Sequence, residues 1–163
     1  MKIYIGTDHA GFELKKELKK YFEELGLGYE VEDKGPFVYD ADDDYPDFIR
    51  PVAEAVVKDT GSFGVILGGT GTGEAICANR VPGARAMVFY SEALPQTAID
   101  IKGEKSSDPY EMIKLARVHN NANIISVSAR FLSVDQIKFA IELFIKTPFT
   151  GEERHIRRVQ KLG

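Results

Sequence analysis

Residues 63–67, Phe-Gly-Val-Ile-Leu, form an apolar run with no polar position to face water, and a glycine-rich stretch, Gly68-Gly69-Thr70-Gly71-Thr72-Gly73, follows at once. An uninterrupted apolar strand is the mark of one buried on both faces of a parallel sheet. Parallel neighbours cannot be joined by tight hairpins, so such a strand demands helical crossovers. The rest of the chain supplies them. Strands are expected at Ile3–Gly6, Tyr29–Val31, Ala84–Phe89 and Asn123–Val127. Between them lies helical spacing: Leu14, Leu18, Tyr21, Phe22 and Leu25 draw one stripe, with Gly26 as its stop signal.

Further helices are expected over about Asp47 to Lys58, with Pro46 and Pro51 near its first turn, and over Glu74–Arg80 and Met112–Val118. Ser133 and Gln136 make a capping box for a helix that buries Val134, Ile137, Ile141 and Phe144. Thr150 and Glu153 repeat the box before a basic C-terminal helix. This alternation predicts an α/β fold: one doubly wound, Rossmann-like, mostly parallel five-stranded sheet with helices on both faces. At 163 residues the chain is expected to form a single domain. Ala93 to Tyr110 is the one long irregular connection, a length usually reserved for a working or disordered loop.

Composition excludes several function classes. A net charge of −4 argues against nucleic acid as a partner. A single cysteine rules out an intramolecular disulfide and a Cys-rich zinc site. No apolar run reaches membrane-spanning length and the N-terminus lacks signal-peptide zones, so no membrane partner and a cytoplasmic location are expected. Asp40, Asp42, Asp43 and Asp44 resemble a calcium loop, but Tyr45 and Pro51 stand where its glycine and closing glutamate belong. With no carboxylate and histidine cluster at ligand spacing, no metal and no cofactor are expected.

The glycine stretch is expected at the carboxyl edge of the sheet, where open α/β folds bind ligands. Two nucleotide motifs fail there. A dinucleotide fingerprint would need a glycine at Glu74, and a phosphate-binding P-loop would need lysine and Ser/Thr at Glu74 and Ala75. What remains is a set of backbone amides with a carboxylate at the lip. That pairing suits a base that removes a carbon-bound proton while amides stabilise the resulting oxyanion. The structural alternative is a tight turn with Glu74 as a favourable first-turn residue. Asp8-His9 should project at the same edge, unless it is only a helix cap. His119-Asn120 should lie at the opposite edge, which makes His119 either a helix-end residue or a contribution from a second subunit. Arg154 and Arg158, spaced i, i+4, can hold an anion between them or form a solvated basic face balanced by Glu152 and Glu153. Arg130, beyond the fifth strand, is a further candidate, whereas Cys77 suits a buried small position.

Taken in order, Ile5-Gly6-Thr7-Asp8-His9-Ala10-Gly11, Asp33-Lys34-Gly35, Asp44-Tyr45-Pro46, Gly69–Gly73, Ala78-Asn79-Arg80, His119–Asn123 and Gly151 with Arg154-His155 and Arg158 resemble the type B ribose-5-phosphate isomerases and their galactose-6-phosphate isomerase relatives. The resemblance implies a metal-independent, intramolecular aldose–ketose isomerase of carbohydrate metabolism, in the pentose phosphate pathway, acting on a sugar phosphate. Its substrate would be ribose 5-phosphate and ribulose 5-phosphate, or else a six-carbon phosphate of allose or galactose. By the same resemblance Asp8, His9 and His119 would assist ring opening, and Glu74 would carry the proton between C2 and C1. The amides of Gly69, Thr70, Gly71, Thr72 and Gly73 would hold the enediolate. Arg154, Arg158, His9 and Arg130 would hold the phosphate, and Asn120 the sugar hydroxyls. The site would lie between the subunits of a homodimer, or of a tetramer. Many family members carry a cysteine base where this chain has Gly68; Glu74 matches a glutamate-base branch. A protein of another class, a non-catalytic sugar-phosphate sensor, would share the fold.

Overall fold

The computed structural model describes residues 1–25 and 27–162. Gly26, the expected helix stop, lies outside the described residues. Five strands form one sheet: β1 (Lys2–Thr7), β2 (Glu30–Asp33), β3 (Phe63–Gly68), β4 (Ala86–Phe89) and β5 (Ile124–Ser128), in the order β2-β1-β3-β5-β4. Every neighbouring pair is parallel. β3 is buried at all six positions, as its apolar run requires.

Alternate residues of the strands feed two cores. Ile3, Ile5, Val65, Leu67, Ile125 and Val127 pack on one face against α1 (Phe12–Glu24), α4 (Glu111–Asn120) and α5 (Val134–Lys146). Tyr4, Ile66 and Ile124 pack on the other against α2 (Pro46–Lys58) and α3 (Thr72–Ala78). The period of two in the strands thus meets helices on both sides. A final helix, α6 (Glu153–Gln160), packs against α4.

Two sequence expectations shift. Pro46 does open α2, but Pro51 lies inside the helix rather than in its first turn. Its ring leaves the Asp47 carbonyl without the usual i−4 partner, and the helix continues because Ile49, Val52, Ala53 and Val56 are buried along one face. The Ser133–Gln136 capping box forms in full. The Thr150–Glu153 box does not: the Thr150 hydroxyl donates to the Val118 carbonyl at 2.9 Å, and Glu152 takes the cap position without a side-chain bond. That bond fastens the approach to α6 onto α4. The irregular connection after β4 carries no helix or strand between Phe89 and Glu111 and is held by turns. Ala93 N–H donates to the Pro109 carbonyl at 2.9 Å, and Asp100 accepts from the amides of Lys102 and Glu104.

Candidate active site

Because all strands are parallel, the ends of β1, β3 and β5 deliver Asp8, Gly69 and Arg130 to one carboxyl edge. The glycine loop there is shaped from below. Gly71 adopts φ 79°, a left-handed conformation costly for any residue with a Cβ. Ser126 donates to its carbonyl at 2.6 Å, and Ser128 donates to that of Gly69 at 2.7 Å. The two carbonyls are thereby tied down. Among the described residues, the N–H groups of Gly69, Thr70 and Gly71 donate to no other group of the chain. Thr72 N–H and its hydroxyl both contact the Thr70 hydroxyl. The Tyr45 ring packs over Gly73, and the Arg130 guanidinium lies over Gly69.

Glu74 sits in the first turn of α3 and is 4% exposed. Burial pushes its carboxyl pKa upward, and the nearby Asp8 charge pushes the same way, against a bond from its own amide. Raised basicity in a buried carboxylate is what a proton-abstracting base needs. Its position explains Gly68. A Cβ at residue 68 would overlap the Glu74 carboxyl group, so the two positions compete for one space and a side chain at 68 excludes the carboxylate.

Asp8 is buried and caps the turn after β1, its Oδ1 accepting from the Ala10 amide at 2.9 Å. The cap and the functional reading therefore describe the same side chain. His9 Nδ1 meets Asp43 Oδ1 at 2.8 Å. That bond raises the imidazole pKa, partly opposed by burial, while Asp8 raises it further and Arg130 lowers it. Asp43 was not among the sequence-derived candidates, having been set aside with a failed calcium loop. Its side chain is 5% exposed and its Oδ2 is buried without a partner. Asp8, His9 and Asp43 bring one ligand-type atom each within 4.8 Å of one another. Sequence spacing hides this cluster because 34 residues separate His9 from Asp43. Its imidazole nitrogen and Asp43 Oδ1 already satisfy each other as a hydrogen bond.

The second group of candidates stands elsewhere. His119 and Asn120 end α4 just before β5 begins, hence at the amino edge. His119 stacks on His155, ring centroids 4.4 Å apart and 13° from parallel. His155, a residue absent from the list of candidates, is 2% exposed, and its pKa is lowered by burial and by the neighbouring His119 and Arg154. Arg154 Nε contacts Glu152 at 2.9 Å and His155 Nε2 at 3.1 Å, so Glu152 supplies part of the expected balancing charge. Arg158 follows one turn later on α6. The chain thus assembles Asp8, His9, Glu74, the glycine loop and Arg130 in one place. It gathers His119, Asn120, Arg154 and Arg158 on the α4–α6 pair at the other edge.

Cys77 is buried in the α2–α3 core, and burial raises its thiol pKa, as suits a packing residue. Among the described residues, no helix is long and apolar enough to cross a membrane.

A family profile described as Ribose/Galactose Isomerase matches residues 3–102 and 106–162. Ribose-5-phosphate isomerase B of Mycolicibacterium paratuberculosis is 40% identical over 163 residues, covering 100% of this chain and 90% of the relative. The Mycobacterium tuberculosis protein of the same name is also 40% identical, with 88% of it covered. Among solved structures, ribose-5-phosphate isomerase B of Mycoplasma genitalium with bound ribulose-5-phosphate superposes with a TM-score of 0.81 at 34% identity, over 99% of this chain and 93% of that one. The Trypanosoma cruzi type B enzyme gives 0.81 at 37% identity, with the same coverage.

Proposed function

The chain belongs to the ribose/galactose isomerase family, and from that premise we propose that Glu74 is the base with which it interconverts ribose 5-phosphate and ribulose 5-phosphate. The enzyme is an aldose–ketose isomerase. In the aldose-to-ketose direction the Glu74 carboxylate takes the proton from C2. The C2–H electrons form the C1–C2 double bond, and the carbonyl pair moves onto O1 as an oxyanion that the amides of the Gly69–Gly73 loop would stabilise, those of Gly69, Thr70 and Gly71 being free of other acceptors. Return of the proton to C1, with transfer of the hydroxyl proton from O2 to O1, completes the ketose. The observation that carries this reading is the buried Glu74 carboxyl, raised in pKa, in the space that Gly68 leaves open.

His9, whose cationic form the bond to Asp43 favours, and Arg130 would supply positive charge at the same edge for the phosphate. Asp8, at the same edge, would exchange a proton with the ring oxygen or O1 hydroxyl during ring opening. His119, Asn120, Arg154 and Arg158 stand at the far edge of their own chain, so they serve a site completed by a second copy. In a homodimer the partner subunit's His119 would assist ring opening while the partner subunit's Arg154 and Arg158 close on the phosphate. His155, stacked against His119, would set the orientation of that imidazole.

One feature bears on the alternative substrate, a six-carbon sugar phosphate. The segment after β4 departs beside the glycine loop, where the Tyr90 hydroxyl meets the Thr72 hydroxyl at 2.8 Å. A six-carbon sugar phosphate would have to pass this border. Specificity constants for ribose 5-phosphate, allose 6-phosphate and galactose 6-phosphate separate the two. The ribose reading expects the five-carbon substrate to lead, and a leading six-carbon substrate would overturn it. Exchange of solvent deuterium into C1 or C2, abolished in Glu74→Gln, tests the base itself; a sensor would show no exchange.

A further inference from the structure

A cavity of about 460 Å³ opens at the amino edge of the sheet, away from Glu74, between the start of β3, the turn before β4 and the end of α4. Two arginines line it, Arg85 and Arg117. Arg85 donates from Nε to the Asn121 carbonyl at 2.9 Å and from Nη1 to the Gly83 carbonyl at 2.8 Å. Arg117 donates from Nε to the Thr147 carbonyl at 3.0 Å, and from Nη1 to Asn121 Oδ1 at 3.2 Å and to the Ala122 carbonyl. All of these acceptors are neutral oxygens, and the bonds use only Nε and Nη1. Among the described residues no carboxylate pairs with either guanidinium.

Such an arrangement is unusual. Both side chains attach to Asn121, one to its carbonyl and one to its amide oxygen, so two positive charges are held close together. Arg117 is 6% exposed and is clamped between the rings of Phe63 and Phe144, at 4.8 and 5.4 Å. Buried arginines are normally paired with an anion, because an uncompensated buried charge is costly. Burial, together with the Arg85 charge, brings the Arg117 pKa down to about 10, and burial lowers that of Arg85 as well. Ser62, also on the wall, has a buried hydroxyl without a partner. Carbonyl capping accounts for Nε and Nη1 of each arginine. It leaves Nη2 of both, and their unbalanced charge, without a counterpart.

We propose that this cavity is a second anion site, taking a phosphate group between Arg85 and Arg117. Guanidiniums bind phosphate through forked N–H pairs, and two of them match its charge. The phosphate can come from inorganic phosphate or from a phosphorylated sugar. Asn121, in a left-handed conformation (φ 47°), caps α4 directly after His119 and Asn120. Occupancy would therefore tighten the turn that carries those two residues.

The test uses full-length Arg154→Ala/Arg158→Ala protein, in which His9 and Arg130 are the only other proposed phosphate contacts left, so dependence of the response on Arg85 is what identifies the second site. Its thermal midpoint is titrated with inorganic phosphate and, separately, with ribitol 5-phosphate, at constant ionic strength set by chloride. A site that binds only the folded chain makes the midpoint climb with ligand concentration. The expected result is such a climb, lost when Arg85→Gln is added. Arg85→Lys, which keeps the charge but not the fork, should need about tenfold more phosphate for the same shift, and it decides the matter if Arg85→Gln does not fold. Tighter response to ribitol 5-phosphate would identify a sugar phosphate as the ligand, and equal response free phosphate. A midpoint indifferent to both ligands, or a climb unchanged by substitution at Arg85, would overturn the site.

Discussion

Placing a single methyl group at residue 68 should disable the enzyme by moving Glu74, the proposed base. Gly68 ends β3 in an ordinary strand conformation, so alanine costs nothing in backbone terms. Its Cβ, however, would overlap Cδ and both oxygens of the Glu74 carboxyl group. Ordinary contact between such atoms is roughly 3.5 Å, so the carboxylate must withdraw by on the order of 1 Å. Misplacing a catalytic group by that distance costs about 10²-fold in rate. Forcing extra volume into a packed interior costs about 1–3 kcal/mol. Gly68→Ala is therefore expected to lose about a hundredfold in kcat, with KM changed far less, since the sugar and phosphate contacts remain. Chemical denaturation should show a stability loss in the stated range. The double variant Gly68→Ala/Glu74→Ala isolates the cause, because it removes the group that clashes. It should regain most of the lost stability and stay inactive, a coupling energy of about 1–3 kcal/mol between adjacent sites. Wild-type turnover in Gly68→Ala, or a double variant no more stable than the single one, would refute the reasoning.

Glu74→Gln should reduce kcat by about 10²–10⁴-fold, the range of a general base, while differing in stability with pH. Burial raises the Glu74 pKa in the folded chain, so folding favours its protonated form. That preference is fully present below the unfolded pKa and disappears as pH rises through the folded one. Glu74→Gln should accordingly be more stable than wild type at neutral pH, the advantage shrinking in acid; denaturation melts across pH check the sign. Asp43→Asn removes the main cause of the raised His9 pKa, so KM for the sugar phosphate should begin to climb at lower pH than in wild type, with kcat little affected. Cys77→Ala should leave turnover unchanged and cost about 1 kcal/mol of stability, the loss of a small buried side chain. A large loss of kcat in folded protein would return the thiol to the chemistry.

Local signals carried most of the fold. The apolar run of β3, the stripe of α1 and the Ser133–Gln136 box each specify an element from residues a few positions apart, and each formed. Failures came where a distant contact outbid a local one. Thr150 gave its hydroxyl to Val118 rather than to its own helix, and Pro51 was absorbed by a helix whose buried face holds it. The candidate site was legible at Asp8, His9, Glu74 and the glycine loop because parallel strands bring their carboxyl ends together. Asp43 escaped because only folding sets it against His9. His155 escaped because a histidine in a basic helix gives no sign that it will be buried against His119. The need for glycine at 68 was invisible in the same way, since the crowding atom belongs to a side chain six positions on that folds back over it.

The claim at the centre of this enzyme's chemistry is that Glu74 of one subunit works with His119 of another. Mixing inactive Glu74→Gln and His119→Asn proteins, with exchange of subunits, tests it directly. In a two-fold dimer half the molecules would be mixed, each with one fully native site, so isomerisation should return to about a quarter of the wild-type rate. Activity no greater than the sum of the two parents, with subunit exchange demonstrated, would contradict a shared site.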